Sequence, residues 1–261
     1  MKIREEISSV RSALSDLDKQ TATVLVVSAA LVLLQMQFGS RNLYRFEIAP
    51  ALSLPTGELY GWAWWFVIQG VLGLVVPLMI LRFGFGQTWA NMGLAAGDWK
   101  FAGSIALFYV PLVVVGTWIL SDNPSFQENY PHLRAASRNW TTFLIYELLF
   151  LFYWIGWEYL WRGFVLFGTK QVLGVYAILV QALPFAVLHY AKPFPEAMLS
   201  LLGGIALGVL VWRSRSFWIA VPIHWLQMFL LDLFSTLRIR SGVAGWDPGA
   251  ALEIIRQLTA S

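Results

Sequence analysis

The chain has no cysteine among its 261 residues, so disulfide bonds, thiolate catalysis and cysteine-ligated metal ions are excluded. Charge is also scarce, because Asp, Glu, Lys and Arg together make up 13% of the sequence, whereas soluble domains carry about 25%. Hydrophobic residues make up 58% and occur in long runs. A sequence with few charges and long apolar runs is typical of an integral membrane protein.

The remaining charges are consistent with a membrane-bound chain. The formal net charge is +3, which in a membrane protein indicates anchoring of cytoplasmic loops, and no nucleic-acid partner is expected. The 14 tryptophans agree with this, because Trp is enriched at membrane interfaces. Residues 1–21 mix both signs of charge and lack an apolar core, which predicts a cytosolic amphipathic or flexible lead. The expected location is the inner (plasma) membrane of a bacterium, with lipids as partners.

Apolar segments of about 20 residues, the length that a bilayer requires, recur along the chain. They predict an all-α fold, a polytopic membrane helix bundle with about seven to eight transmembrane helices. Seven spans are predicted at residues 22–38, 58–82, 101–120, 140–168, 173–190, 197–212 and 217–235. An additional interfacial helix at 39–56 would make eight elements.

No long linker and no internal repeat divides the sequence, so one integral domain is predicted. Four regions are distinguished within it. They are the lead at 1–21, the N-terminal transmembrane helices and connectors at 22–138, the core that holds the candidate site at 139–236, and a polar C-terminal tail at 237–261.

Polar residues inside the spans are the candidate functional groups, because a charge at the bilayer centre costs roughly 2.5–3.5 kcal/mol unless it finds a partner. The set comprises Glu147, Glu158, Arg162, His189, His224, Gln227 and Asp232, with Lys192 and Glu196 at a helix edge. Glu158 and Arg162 are four residues apart, which favours an ion pair on one helix face. The spacing alone allows either a structural salt bridge or a carboxylate held ionised in a polar cavity.

Two of the three histidines, His189 and His224, fall within predicted spans, and His132 lies in a polar loop. Each buried histidine alone is compatible with ordinary packing. Together with a buried glutamate, they are the residue types that activate water, and Glu196 is either a first-turn acid or a second carboxylate of the site. Two histidines and a glutamate also match the ligand types of a zinc site, but no HExxH spacing is present.

Three short segments resemble one family. "EYLWRGF", "FAVLH" and "HWLQM", in this order on successive apolar spans, resemble the CPBP family of intramembrane proteases, which includes the CAAX prenyl endopeptidases. The family pattern is Glu-Glu-x-x-x-Arg, then Phe-x-x-x-His, then His-x-x-x-Asn. The resemblance covers about residues 90–235. Two positions depart from the pattern, because Trp157 replaces the first Glu and Met228 replaces the Asn.

The resemblance implies an intramembrane endopeptidase that hydrolyses membrane-associated proteins or peptides with water activated by Glu and His. The family's motifs match Glu158, Arg162, His189 and His224 of this sequence. The predicted catalytic residues are Glu158, His189, His224 and Glu196, and the predicted supporting residues are Arg162, Gln227, Asp232 and Lys192. No cofactor is expected, with zinc as the alternative. Since Trp157 and Met228 cannot perform the chemistry of Glu and Asn, the rival hypothesis is an inactive protein of the same fold, acting as a chaperone, immunity factor or scaffold. A transporter is a further alternative.

Overall fold

A computed structural model describes residues 2–259 of the chain. All regular elements among these residues are helical, which confirms the predicted helical membrane bundle. The α-helices are α1 (Lys2–Ser15), α2 (Lys19–Phe38), α3 (Arg41–Leu43), α4 (Ala49–Ala51), α5 (Glu58–Met79), α6 (Trp99–Leu120), α7 (Pro124–Asn129), α8 (Trp140–Glu158), α9 (Leu166–Leu173), α10 (Tyr176–Val187), α11 (Phe194–Ser214), α12 (Ala220–Ser241) and α13 (Pro248–Thr259). Three π-helical segments, Tyr44–Ile48, Ile80–Gly84 and Tyr159–Val165, continue the helices that precede them.

Within residues 2–259, six helical stretches are long and apolar enough to cross a membrane. They are Lys19–Ala51, Glu58–Gly84, Trp99–Leu120, Trp140–Leu173, Phe194–Ser214 and Phe217–Ser241. The predicted span at 173–190 is not among them, because α10 has only 12 residues. At 1.5 Å per residue this helix is about 18 Å long, whereas the bilayer core is about 30 Å thick. The segment predicted as an interfacial helix, 39–56, instead contributes α3 and α4 to the end of the first span.

The predicted lead contains the amphipathic helix α1, in which Ile3, Ile7, Val10 and Leu14 recur at helical spacing and are exposed. Within the predicted tail, α13 packs against α12 and buries Ile254. Residue 1 of the lead and residues 260 and 261 of the tail lie outside the described residues.

Helix α8 is central to the bundle, since it packs against both α5 and α12. Its buried face is aromatic, and it continues without a break through the π-helical segment Tyr159–Val165 into α9. All seven residues of that segment are buried. π-Helical turns insert an extra residue and occur often at functional sites. This one carries Arg162.

Helices α10 and α11 form a hairpin, and α10 packs on α9 and on the π-helical segment that follows α8. The connection between them, 188–193, contains His189 and Lys192, and Lys192 N–H donates to the His189 carbonyl oxygen at 3.0 Å. Pro193 and Pro195 then open α11, where proline at the first helical turn is tolerated because its missing N–H would lack a helical partner. The connection and the first turn of α11 therefore carry His189, Lys192 and Glu196.

Glycines bring α5 and α8 into close contact. A Cβ added at Gly156 would lie 2.5 Å from Gly70 Cα, and one added at Gly73 would lie 2.5 Å from the Gly156 carbonyl oxygen. Neither distance is compatible with a side chain. Small residues at such a crossing allow two membrane helices to pack backbone against backbone.

We expect Gly156→Ala to lower the free energy of unfolding by about 1–3 kcal/mol, because the methyl group would force α5 and α8 apart. The measurement is thermal unfolding of the detergent-solubilised protein. Gly116→Ala in α6 is the matched control, since a Cβ there meets nothing within 4 Å. An equal effect of the two substitutions would contradict the close α5–α8 contact.

Candidate active site

Glu158, Arg162 and His224 form a buried polar cluster between α8 and α12. Arg162 Nη1 donates to Glu158 Oε1 at 2.9 Å, and His224 Nδ1 donates to the same oxygen at 2.6 Å. Glu158 and Arg162 are fully buried, and His224 is 6% exposed. The sequence placed the pair at i and i+4, and the structure adds His224 from 66 residues further along the chain.

The contact with Glu158 fixes the tautomer of His224. Because a carboxylate accepts hydrogen bonds, the imidazole carries a proton on Nδ1, and in the neutral form of the ring the lone pair is on Nε2. His224 Nε2 has no hydrogen-bond partner within residues 2–259. The Trp154 ring packs on the imidazole with its centroid 4.0 Å away. The orientation of the His224 imidazole is therefore fixed from two sides, by Glu158 and by Trp154.

His189 has the same arrangement with a different partner. Its Nδ1 donates to the Phe185 carbonyl oxygen at 2.7 Å, and the described part of the chain offers no hydrogen-bond partner to Nε2. The Phe185 ring packs against both imidazoles. Its centroid lies 4.7 Å from the centroid of the His189 ring and 5.7 Å from that of the His224 ring. Arg162 Cζ lies 4.3 Å from the centroid of the same ring. Phe185 thus links the two histidines and the guanidinium.

Two cavities share this part of the bundle. The larger has a volume of about 480 Å³ and is lined by aromatic side chains, including Trp157. The smaller has a volume of about 90 Å³ and is lined by His224 and Gln227. His189, Glu196 and Met228 line both cavities. The smaller cavity has room for water, since a water molecule occupies about 30 Å³ of the liquid.

The predicted site residues thus fall into two groups. His189, His224 and Glu196 meet at the smaller cavity, whereas Glu158 lines neither cavity and contacts the site through His224. Gln227 Oε1 accepts from the Tyr109 hydroxyl at 2.9 Å, so its amide nitrogen remains as a donor. Asp232 lines neither cavity, and like Glu147 it is a buried carboxyl group without a hydrogen-bond partner among residues 2–259.

A second polar cluster surrounds Glu196. The Tyr130 hydroxyl donates to the Glu196 carboxylate at 2.6 Å, and Lys192 Nζ lies 2.8 Å from the Tyr130 oxygen and 3.9 Å from Glu196 Oε1. Lys192 Nζ also donates to His132 Nε2 at 2.8 Å, while His132 Nδ1 donates to the Asn129 carbonyl oxygen at 2.6 Å. Tyr130 and His132 come from the loop between α7 and α8, and the sequence analysis did not predict them as site residues.

Burial controls the protonation of this second cluster. Burial and the neighbouring Lys192 cation hold the pKa of His132 well below its usual value, so the imidazole is neutral. Burial and the Glu196 carboxylate raise the pKa of Tyr130 well above its usual value, so the phenol keeps its proton. Burial also lowers the pKa of Lys192, and the Glu196 carboxylate opposes this shift. Tyr130 and His132 are therefore the neutral members of the cluster.

A zinc ion would require three or four ligand side chains that converge on one point. Within residues 2–259, no group of three or more His, Asp or Glu side chains is arranged to hold a metal ion. His189 Nδ1 donates to the Phe185 carbonyl oxygen, and His224 Nδ1 donates to Glu158. Glu158 also accepts from Arg162, so these atoms already have partners within the protein.

The fold and the buried cluster define an integral membrane protein whose core presents ionisable side chains to an internal cavity. Residues 139–230, from the start of α8 to the middle of α12, match the family model described as type II CAAX prenyl endopeptidase Rce1-like. The match covers this segment of the chain only, and it confirms the resemblance to the CAAX protease family seen in the sequence. No curated protein and no solved structure matches the chain.

We expect Arg162→Met to lower the free energy of unfolding by about 3–5 kcal/mol, because it leaves the buried Glu158 carboxylate without its cation. The double substitution Glu158→Gln/Arg162→Met should recover part of this loss, since the neutral amide still accepts from His224. Denaturation in detergent measures both. Arg256→Met is the matched control, because its pair with Glu253 is exposed and exposed pairs contribute little. If the double substitution lowers the free energy of unfolding by the sum of the losses from Glu158→Gln and Arg162→Met measured singly, the pairing is contradicted.

Proposed function

We propose that the protein is an intramembrane endopeptidase that hydrolyses peptide bonds of membrane-associated proteins or peptides with histidine-activated water. One observation supports this more than any other. His189 and His224 each have Nδ1 bound to a fixed acceptor and Nε2 unbound, and both line one cavity with the Glu196 carboxylate. Two imidazoles and a carboxylate around one small cavity are suited to general-base catalysis. The family match supports a peptidase reaction.

In the proposed reaction, a water molecule in the smaller cavity attacks the carbonyl carbon of the substrate peptide. His224 Nε2 accepts the proton that the water loses, and a carbon–oxygen bond forms. The Glu158 carboxylate stabilises the resulting imidazolium through Nδ1, as a carboxylate does in hydrolase triads. The tetrahedral intermediate then collapses, the carbon–nitrogen bond breaks, and His224 returns the proton to the leaving amine. Glu158 is a positioning residue in this scheme, and Arg162 holds it in place.

His189 and Glu196 complete the proposed water site. Each of these two residues lines both cavities. They therefore lie where a substrate peptide would extend from the larger cavity into the smaller one. Glu196 supplies a carboxylate on the cavity wall, which Trp157 cannot. The free amide of Gln227 would donate a hydrogen bond to the substrate carbonyl oxygen.

The larger cavity determines the proposed substrate class. Its wall combines Trp62, Trp65, Trp157 and other aromatic rings with polar groups at Lys192 and Glu196, which suits an apolar peptide segment. The substrate would be a protein or peptide held at the membrane, and we propose the bacterial inner membrane as the location. No cofactor is needed for the reaction as written.

One observation favours a second candidate, a non-catalytic member of the same family. Trp157 and Met228, which replace the family's Glu and Asn, both line the larger cavity. An indole and a thioether make this wall apolar where the family pattern places two polar side chains. A protein of this kind would bind a membrane-associated peptide without cleaving it.

The test is cleavage of a panel of membrane-anchored peptides by the purified chain in detergent. We expect His224→Ala and His189→Ala to lower kcat by about 10²–10⁴-fold, the usual contribution of a general base. Glu196→Gln should lower it as well. Glu47→Gln, an exposed carboxylate far from the site in sequence, is the matched control and should leave activity unchanged.

Wild-type protein that cleaves no better than these variants would contradict the peptidase proposal. In that case, Trp157→Glu/Met228→Asn distinguishes the second candidate. Activity that appears only after these two substitutions would identify a family member that is inactive because of them.

A further inference from the structure

Lys192 is arranged as a cationic donor with one free N–H. An ammonium group has three N–H bonds, and Lys192 uses two of them, on the Tyr130 hydroxyl oxygen and on His132 Nε2. Both acceptor roles are fixed, because Tyr130 donates its own proton to Glu196 and His132 donates from Nδ1 to Asn129. The third N–H is left for the nearby Glu196 carboxylate, at 3.9 Å, or for a group in the cavity.

The side chain of Lys192 also reaches the cavity. It is 25% exposed and lines the larger cavity together with His189, Glu196 and Met228. Tyr130 and His132, which hold the ammonium, are supplied by the loop before α8, so the group is anchored on two sides. An anchored cation loses little freedom when it binds a ligand, which is the condition for preorganised electrostatic stabilisation.

The backbone sets the position of Lys192 relative to His189. The hydrogen bond from Lys192 N–H to the His189 carbonyl oxygen closes a single turn, and Pro193 follows it at once. The ends of such a turn lie within about 7 Å of each other at Cα. The cation and one of the imidazoles of the proposed water site are thus presented by one rigid turn.

We propose that Lys192 donates its third N–H to the oxygen of the substrate carbonyl and stabilises the oxyanion that forms when water attacks. This inference rests on the peptide hydrolysis proposed above. As the carbon–oxygen bond forms, the carbonyl electron pair moves onto this oxygen, and the proton of the water moves to His224. When the carbon–nitrogen bond breaks, the electron pair returns, and Lys192 keeps its own proton throughout. In this role it supplies a donor that Met228 cannot.

The experiment compares Lys192→Met with wild type on a peptide that the wild-type protein cleaves. Loss of one oxyanion donor lowers kcat by about 10²–10³-fold, so we expect that fall with KM changed less than about threefold. Lys192→Arg, which keeps a cationic donor, should recover part of kcat. Lys100→Met, an exposed lysine at the start of α6, is the matched control.

Binding of two analogues of the same peptide separates a catalytic role from a structural one. A phosphonate analogue imitates the tetrahedral anion, and an N-methylated amide analogue keeps a planar carbonyl. We expect Lys192→Met to weaken phosphonate binding by at least about tenfold more than amide binding, as measured by calorimetry in detergent. If Lys192→Met does not fold, Lys192→Gln provides the same comparison.

Each outcome is decisive. An unchanged kcat in Lys192→Met, or an equal loss of affinity for the two analogues, overturns the role of Lys192 and leaves the peptidase proposal standing. Absence of cleavage by the wild-type protein overturns both. A selective loss of kcat and of phosphonate affinity supports the role.

Discussion

The structure of the core depends on one buried carboxylate. Glu158 is fully enclosed in an apolar bundle, where an unpaired charge would cost several kcal/mol. It is tolerated because Arg162 from the same helix and His224 from α12 share its Oε1 atom. Arg162 lies in the π-helical continuation of α8, and His224 lies one turn inside α12. The need to satisfy this oxygen therefore fixes how α8 and α12 pack, and with it the orientation of the histidine.

Two neighbours in the sequence have opposite environments. Trp157 lines the larger cavity near His189, whereas Glu158 turns away from both cavities toward α12. Successive residues of an α-helix are about 100° apart, and here this rotation places Trp157 on the cavity wall and Glu158 on the side that faces α12. A carboxylate at position 157 would face the cavity, and in this chain an indole does. Under the proposed mechanism, the carboxylate of the cavity wall comes instead from Glu196 at the start of α11, and Tyr130 holds it there.

The sequence predicted the features that are local or compositional. Charge-poor runs located the long spans, and the i,i+4 spacing predicted the pairing of Glu158 with Arg162. Within residues 2–259, six of the seven predicted spans are long enough to cross a membrane, and the apolar run at 173–190 does not reveal that the helix within it has only 12 residues. The cluster around Glu196 was missed for a different reason. Lys192 meets Tyr130 and His132 across about 60 positions of the chain, and no periodicity reports contacts at that separation.

The charges of the two clusters explain how such a site can exist inside a membrane. The first contains the Glu158 carboxylate, the Arg162 guanidinium and an imidazole, and the second contains the Glu196 carboxylate, the Lys192 ammonium and an imidazole. With neutral histidines, each cluster has no net charge, so its burial costs far less than that of an isolated ion. Proton transfer from water to His224 would create a cation beside Glu158 and an anion on the substrate oxygen. Each new charge would then appear next to a fixed charge of opposite sign, in surroundings where such pairs interact more strongly than in water.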